Sequence, residues 1–85
     1  MNAELKLRKA RIQLIKRQPF FGTLALHLEL VKTNSIPSTA VDGKNNLLYN
    51  EDFINKIQLE PCIGVVAHEV MHLALDVFGR RKGRD

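Results

Sequence analysis

The sequence predicts a single small α+β domain, with an N-terminal helix, a strand plus a β-hairpin, a short helix and a long buried helix. Three observations predict this class. Apolar residues repeat at helical spacing near both ends of the chain, they alternate with period two in the first half, and an Asp-Gly pair separates two short β-prone segments. With 85 residues, the chain is expected to form one domain, residues 1–85.

The first helix is predicted over residues 3–17, where alanines and leucines repeat at helical spacing. Pro19 is expected to end it, because proline disfavours the helical conformation in the residue before it. Over residues 22–31 leucines alternate with smaller or polar residues, and this pattern favours a half-buried strand. Leucine and alanine are poor strand formers, so a helix through residues 20–31 is the alternative.

The two arms of the predicted hairpin are residues 39–41 and 47–49. Asp42-Gly43 is expected to form the tight turn between them, because these residue types tolerate the positive φ angles that such a turn needs. Asn50 is expected to cap a short helix that runs to about Gln58, since an asparagine side chain can accept a hydrogen bond from the first helical turn.

The last helix is predicted to begin at Glu60-Pro61 and to stop at Gly79. Nearly all its side chains are apolar, which is typical of a buried helix. Ionisable groups in such a position cost several kcal/mol unless they are paired or bind a metal. The polar residues between residues 62 and 78 fall on one stripe: His68, Glu69, His72 and Asp76.

The spacing of this stripe indicates a metal site. His68 and His72 lie one helical turn apart, so both imidazoles can converge on one ion. Zinc is the expected ion, because imidazole nitrogen is among its usual ligands. Glu69 can then take a proton from a metal-activated water and deliver it to the leaving amine. The pattern predicts hydrolysis of a peptide or protein substrate, held along strand 22–31 or an arm of the hairpin.

A catalytic zinc normally has three protein ligands, and the sequence offers only two. Asp76 lies about 12 Å along the helix from His68, so we interpret it either as a partner that orients His72 or as a solvated residue. A third ligand downstream of the chain is our preferred interpretation. Four other residues could approach the ion without any spacing that supports them: His27, Glu60, Cys62 and Asp85. Of these, Cys62 is better explained as a small buried hydrophobe.

Composition leaves two further hypotheses. A site with two ligands could be a catalytically inactive, metal-stabilised interaction domain. The net charge of +4 could attract nucleic acid, but a solvated helix face and tail explain it more simply, because no aromatic residues interleave the basic run 80–84. The N-terminal segment lacks the apolar stretch of a secretory signal or a membrane anchor, so we expect a cytoplasmic protein without membrane contact.

Several segments of the chain resemble, in the same order, a family of bacterial and phage metallopeptidase domains that commonly precede a von Willebrand A-like domain. They lie between Arg17 and Asp85 and read Pro19-Phe20-Phe21-Gly22, Thr39-Ala40-Val41-Asp42-Gly43, Leu48-Tyr49-Asn50 with Phe53, Ala67 to Leu75, Arg80-Arg81 and Arg84-Asp85.

The resemblance implies a zincin-like fold that holds Zn2+, with His68 and His72 as metal ligands and Glu69 as general base. Relatives continue beyond the equivalent of Asp85, so this chain is expected to lack their C-terminal part. A von Willebrand A-like or other protein is therefore an expected partner in trans.

Overall fold

The computed structural model describes residues 2–42 and 44–83, and the side chains of the last helix as far as Leu75. Within these residues the α+β class is confirmed, because four helices occur together with one three-stranded sheet. The elements in chain order are α1 (Ala3–Arg17), α2 (Pro19–Leu26), β1 (Glu29–Lys32), β2 (Thr39–Val41), β3 (Asn46–Tyr49), α3 (Glu51–Lys56) and α4 (Leu59–Gly83).

The first helix forms where the sequence predicts it. Asn2 caps it, since the Asn2 side chain accepts a hydrogen bond of 2.8 Å from the backbone N–H of Leu5. Leu7 and Leu14 lie on the face of α1 that is buried against the other helices. The helix ends at Arg17, before Pro19, as expected.

Two basic side chains of α1, those of Lys6 and Arg11, bind backbone carbonyls within the molecule. The expectation of a solvated helix face did not include these contacts. Lys6 is only 9% exposed, and its Nζ donates to the carbonyl oxygens of Ile54 (2.9 Å) and Ile57 (2.6 Å). These carbonyls lie at the end of α3, where helical carbonyls lack partners within the helix. Arg11 likewise donates to the carbonyl of Leu28 just after α2, at 3.1 Å.

The predicted strand over residues 22–31 is wrong for most of its length. Residues 19–26 form α2, which confirms the helical alternative there, and only Glu29–Lys32 are extended. Pro19 occupies the first turn of α2, where proline is well tolerated. Gly22 allows α2 to approach α1 closely, because a Cβ at this position would lie 2.3 Å from the Cα of Ile15. The leucine alternation was therefore a misleading signal.

The sheet has the strand order β1-β3-β2. β2 pairs antiparallel with β3, so the hairpin is confirmed, and β1 pairs parallel with β3 on the other side. The chain turns between Asp42 and Asn46, whose backbones are hydrogen-bonded at 3.1 Å. Asn45 has a φ of 64° in this turn, so it takes the left-handed conformation that we assigned to the Asp-Gly pair; Gly43 itself lies outside the described residues.

The last two helices follow the hairpin directly. Asn50 caps α3 as predicted, accepting a 3.1 Å hydrogen bond from the N–H of Phe53. The next helix, α4, runs from Leu59 to Gly83, so the predicted stop at Gly79 is wrong. A glycine inside a helix costs only about 1 kcal/mol relative to alanine, and a long helix can pass through it. None of the described helices is long and apolar enough to cross a membrane.

Candidate metal centre

Over residues 59–75, whose side chains the structure describes, only one face of α4 is buried, which corrects the prediction of a helix buried all round. Val66 and Val70 are fully buried in the core, whereas His68 and His72 are exposed and Glu69 is half-buried. α4 packs against α1, α2 and β2, and these contacts cover the face that carries Val66 and Val70.

The two histidines of the exposed face lie side by side. Their Nε2 atoms are 3.0 Å apart, their ring centroids are 4.5 Å apart, and the ring planes are nearly perpendicular, at 89°. Without a metal, one Nε2 can donate a hydrogen bond to the other. The i, i+4 spacing therefore brings His68 and His72 together as it predicts, while their role as ligands stays a prediction.

The distance between the two Nε2 atoms fits a shared tetrahedral ion. Two nitrogens at the usual zinc–nitrogen distance of about 2.0–2.1 Å lie about 3.3 Å apart in a tetrahedral site. The observed separation is 3.0 Å, close to this value. Neutral imidazole is also the chemical form that binds zinc. The distance between the two nitrogens and the type of side chain are thus compatible with a metal-binding pair.

Glu69 is held by a residue from the sheet. The Thr39 hydroxyl, in β2, donates a 2.7 Å hydrogen bond to the Glu69 Oε2 atom. Sequence reasoning missed this contact, because the two residues are 30 positions apart and no local periodicity links them. The segment that begins at Thr39 is one of those that resemble the metallopeptidase family, but nothing in the sequence connects it to Glu69.

The candidate third ligands do not join the histidine pair within the described residues, where no group of three metal-ligating side chains occurs. Glu60 is engaged by Arg17 through two hydrogen bonds, of 2.9 and 2.7 Å. Cys62 is fully buried, as the small-hydrophobe interpretation predicts, and burial raises the pKa of its thiol. His27 is an exposed residue at the end of α2. The Asp76 side chain and Asp85 lie outside the described residues.

The carboxyl group of Glu60 has a lowered pKa because Glu60 pairs with Arg17. The hydrogen bonds from Arg17, and then the charge of Arg17, hold the pKa of Glu60 below its usual range. A carboxylate that already pairs with a guanidinium through both oxygens has little left to offer a metal. The ion pair therefore has a structural role, joining the end of α1 to the start of α4.

The structure is a small α+β domain whose HExxH helix places two histidine rings side by side on its exposed face. The chain belongs to the family described as "Putative metallopeptidase domain", whose match covers residues 2–85. The match begins ahead of the segment that carried the resemblance, so it includes α1.

A protein of Thermotoga maritima, named "Uncharacterized protein", is 34% identical to this chain over 89 residues. The alignment covers 100% of this chain and 22% of that relative, so the chain spans about a fifth of the relative's length. No solved structure matches the chain significantly.

Proposed function

We propose that the chain is the zincin-like core of a zinc-dependent peptidase, with His68 and His72 as metal ligands and Glu69 as general base. The observation that carries this proposal is the 3.0 Å separation of the two Nε2 atoms on the exposed face of α4. Exposure supports it further, because an ion bound there is open to substrate. The family to which the chain belongs supports a peptide as the substrate class.

The proposed reaction is the addition of water to a peptide bond. Zinc, when bound, lowers the pKa of a coordinated water to about 7 and polarises the substrate carbonyl. Glu69 takes a proton from the attacking water as the water oxygen forms its bond to the carbonyl carbon. Glu69 then passes this proton to the amine nitrogen as the C–N bond breaks. Thr39 binds the Oε2 atom of Glu69, so we assign the proton transfer to Oε1.

The proposed substrate site is the outer edge of β2, which is the side of this strand that faces away from β3. The backbone groups of Ser38 and Asp42 face the β3 side. Asn50 N–H donates to the Ser38 carbonyl oxygen at 2.8 Å, and Asp42 N–H donates to the Asn46 carbonyl oxygen at 3.1 Å. Backbone groups alternate in direction along an antiparallel pair. The N–H and C=O groups of Thr39 and Val41 therefore face the outer edge, where an extended peptide can bond to them.

We place the remaining zinc ligand outside the described residues, either further along the protein or on a partner such as a von Willebrand A-like protein acting in trans. Zinc catalysis normally uses three protein ligands, and α4 supplies two. The chain spans 22% of the length of its Thermotoga maritima relative, which leaves ample sequence for another ligand in proteins of that length. The single reduced cysteine, Cys62, fits our assignment of the reaction to the cytoplasm.

A metal-stabilised domain without catalysis is the second candidate function. It is favoured by one observation, namely that no third ligand joins His68 and His72 within the described part of the chain. In that case a chelator lowers the melting temperature of the zinc-loaded protein, because a ligand that binds only the folded state stabilises it. No peptide is cleaved under any condition. Hydrolysis that depends on Glu69 separates the two candidates.

The test is zinc titration combined with peptide hydrolysis in two variants. We expect one zinc per wild-type chain, and we expect His68→Ala to weaken zinc affinity at least about 100-fold, because one ligand is lost. Glu69→Gln should keep the zinc but lower the hydrolysis rate about 10²–10⁴-fold, the usual contribution of a general base. Binding is measured by calorimetry and hydrolysis with a quenched fluorescent peptide library.

The matched control is His27→Ala, since His27 is an exposed histidine at the end of another helix. Its removal should leave both zinc affinity and hydrolysis unchanged. Equal losses in His27→Ala and His68→Ala would show that zinc binds elsewhere. Unchanged hydrolysis in Glu69→Gln would remove Glu69 from the mechanism.

A further inference from the structure

We infer that Thr39 is a positioning residue that orients Glu69 and couples this base to the peptide on the outer edge of β2. The inference rests on the proposed function and deepens it, because it assigns the alignment of the base to a residue of the substrate-binding strand. It starts from the 2.7 Å hydrogen bond between the Thr39 hydroxyl and the Glu69 Oε2 atom.

The hydrogen bond has the properties of a strong and directional contact. A hydroxyl bonded to a carboxylate at 2.5–2.7 Å is charge-assisted and about twice as strong as a bond between neutral groups. Threonine is branched at Cβ, so its χ1 angle is restricted and the direction of its hydroxyl is well defined. Among the described residues, the Thr39 hydroxyl is the only group that hydrogen-bonds the Glu69 side chain. It therefore limits a long side chain that would otherwise move freely.

The bond also leaves one carboxylate oxygen available. Thr39 occupies Oε2, so Oε1 is the oxygen without a hydrogen-bond partner among the described residues. Glu69 follows His68 directly on α4, at the half-buried border of the exposed face. A base fixed by one oxygen presents the other in a constant direction, and such alignment matters because a misplacement of about 1 Å can cost about 100-fold in rate.

The position of Thr39 in β2 links the base to the substrate. Its side chain points to α4, where it reaches Glu69. Its backbone groups face the outer edge of β2, as the alternation of hydrogen bonds to β3 requires. A peptide paired with Thr39 would thus restrain the residue that aims Glu69. Peptides that reach this register should be hydrolysed with a higher kcat, and not only with a lower KM, than peptides too short to reach it.

The first experiment tests the contact without metal or substrate. The melting temperatures of Thr39→Val, Glu69→Ala and the double variant are compared with that of the wild type in the metal-free protein. Valine has the shape of threonine without its hydroxyl. If the hydroxyl binds the carboxylate, the decreases in melting temperature of the two single variants should sum to more than the decrease of the double variant. The expected difference is about 4 °C or more. Additive losses would overturn the inference, whatever the activity of the protein.

The second experiment tests the positioning role in the zinc-loaded protein. Thr39→Val should lower kcat about 10–100-fold while zinc affinity stays within about threefold, because the ligands are untouched. Thr39→Ser keeps a hydroxyl and should restore kcat to within about threefold of the wild type. In the Glu69→Gln background, Thr39→Val should have no further effect on the rate. Should Thr39→Val not fold, Thr39→Ala gives the same comparison.

The control is Thr33→Val, which also removes a threonine hydroxyl. This hydroxyl donates to the Ser35 hydroxyl at 3.0 Å and accepts from the Ser35 backbone N–H at 3.1 Å. This variant should leave kcat unchanged. A purely structural role for Thr39 predicts that Thr39→Val lowers stability and leaves kcat of the folded protein at the wild-type level, which would overturn the inference while the proposed function stands. A wild-type protein that binds zinc but cleaves no peptide would instead overturn the proposed function, and the positioning role with it.

Discussion

One face of α4 carries Val66 and Val70, which are completely buried, whereas the opposite face carries His68 and His72, which are exposed. The two faces differ in composition, because the buried face is apolar, whereas the exposed face carries the polar stripe beside apolar residues such as Leu75, which is 62% exposed. The neighbouring elements decide which apolar residues of the helix are buried. In this protein the buried face supplies stability and the exposed face supplies the candidate chemistry.

The largest effect that separates the two faces is expected from Val66→Ala. Val66 is fully buried, so the substitution removes two buried methyl groups and leaves a cavity. We expect the free energy of unfolding of the metal-free protein to fall by about 2 kcal/mol, measured by denaturant unfolding. Zinc affinity of the folded protein should not change. The matched change on the other face, His72→Ala, should alter stability by less than about 0.5 kcal/mol; an equal loss would show that the exposed face is structural.

A smaller effect of opposite sign is expected from Gly64→Ala. Gly64 lies one turn before His68 on the exposed face, and a Cβ there would meet nothing within 4 Å. Alanine is the better helix former, so the metal-free protein should gain about 0.5–1 kcal/mol of unfolding free energy. The control is Gly22→Ala, whose Cβ would lie 2.3 Å from the Cα of Ile15 and should destabilise. A loss of stability in Gly64→Ala would mean that this side of α4 is covered.

The smallest effect is a pH dependence at the start of α4. The hydrogen bonds and charge of Arg17 hold the pKa of Glu60 below its usual range, so the folded protein binds this proton less readily than the unfolded chain. The stabilisation is therefore present above about pH 4.5 and is lost as the pH falls through the lowered pKa of the folded state. The measurement is the difference in melting temperature between wild type and Glu60→Gln from about pH 7 to about pH 2. This difference should shrink as the pH falls below about 4.5. A constant difference would contradict the ion pair.

The sequence predicted those elements that depend on local signals. The cap at Asn50 and the helix before Pro19 follow from contacts within a few residues, and so does the pairing of His68 with His72 at i, i+4. Strand β1 was predicted too long because period-two alternation of leucines also occurs by chance in a helix. There the first-turn Pro19 and the close α1–α2 contact at Gly22 favour helix over strand.

The parts of the site that the sequence did not reveal are those that depend on distant neighbours. The bond from Thr39 to Glu69 joins two elements 30 residues apart, and no repeat or motif records such a contact. Exposure of the histidines was also mispredicted, since an apolar helix is buried all round only if enough other elements surround it. The opposite error concerns Lys6. Its charge indicated an exposed side chain, but its ammonium group is buried and donates to two backbone carbonyls.

The contacts of Lys6 join two elements that are made at different times during synthesis. α1 precedes α3 in the chain, so it leaves the ribosome before α3 does, but the carbonyls that its lysine binds belong to Ile54 and Ile57. These two contacts of Lys6 can therefore form only after the hairpin and α3 have been made. Removal of α1 would leave the end of α3 without its cation.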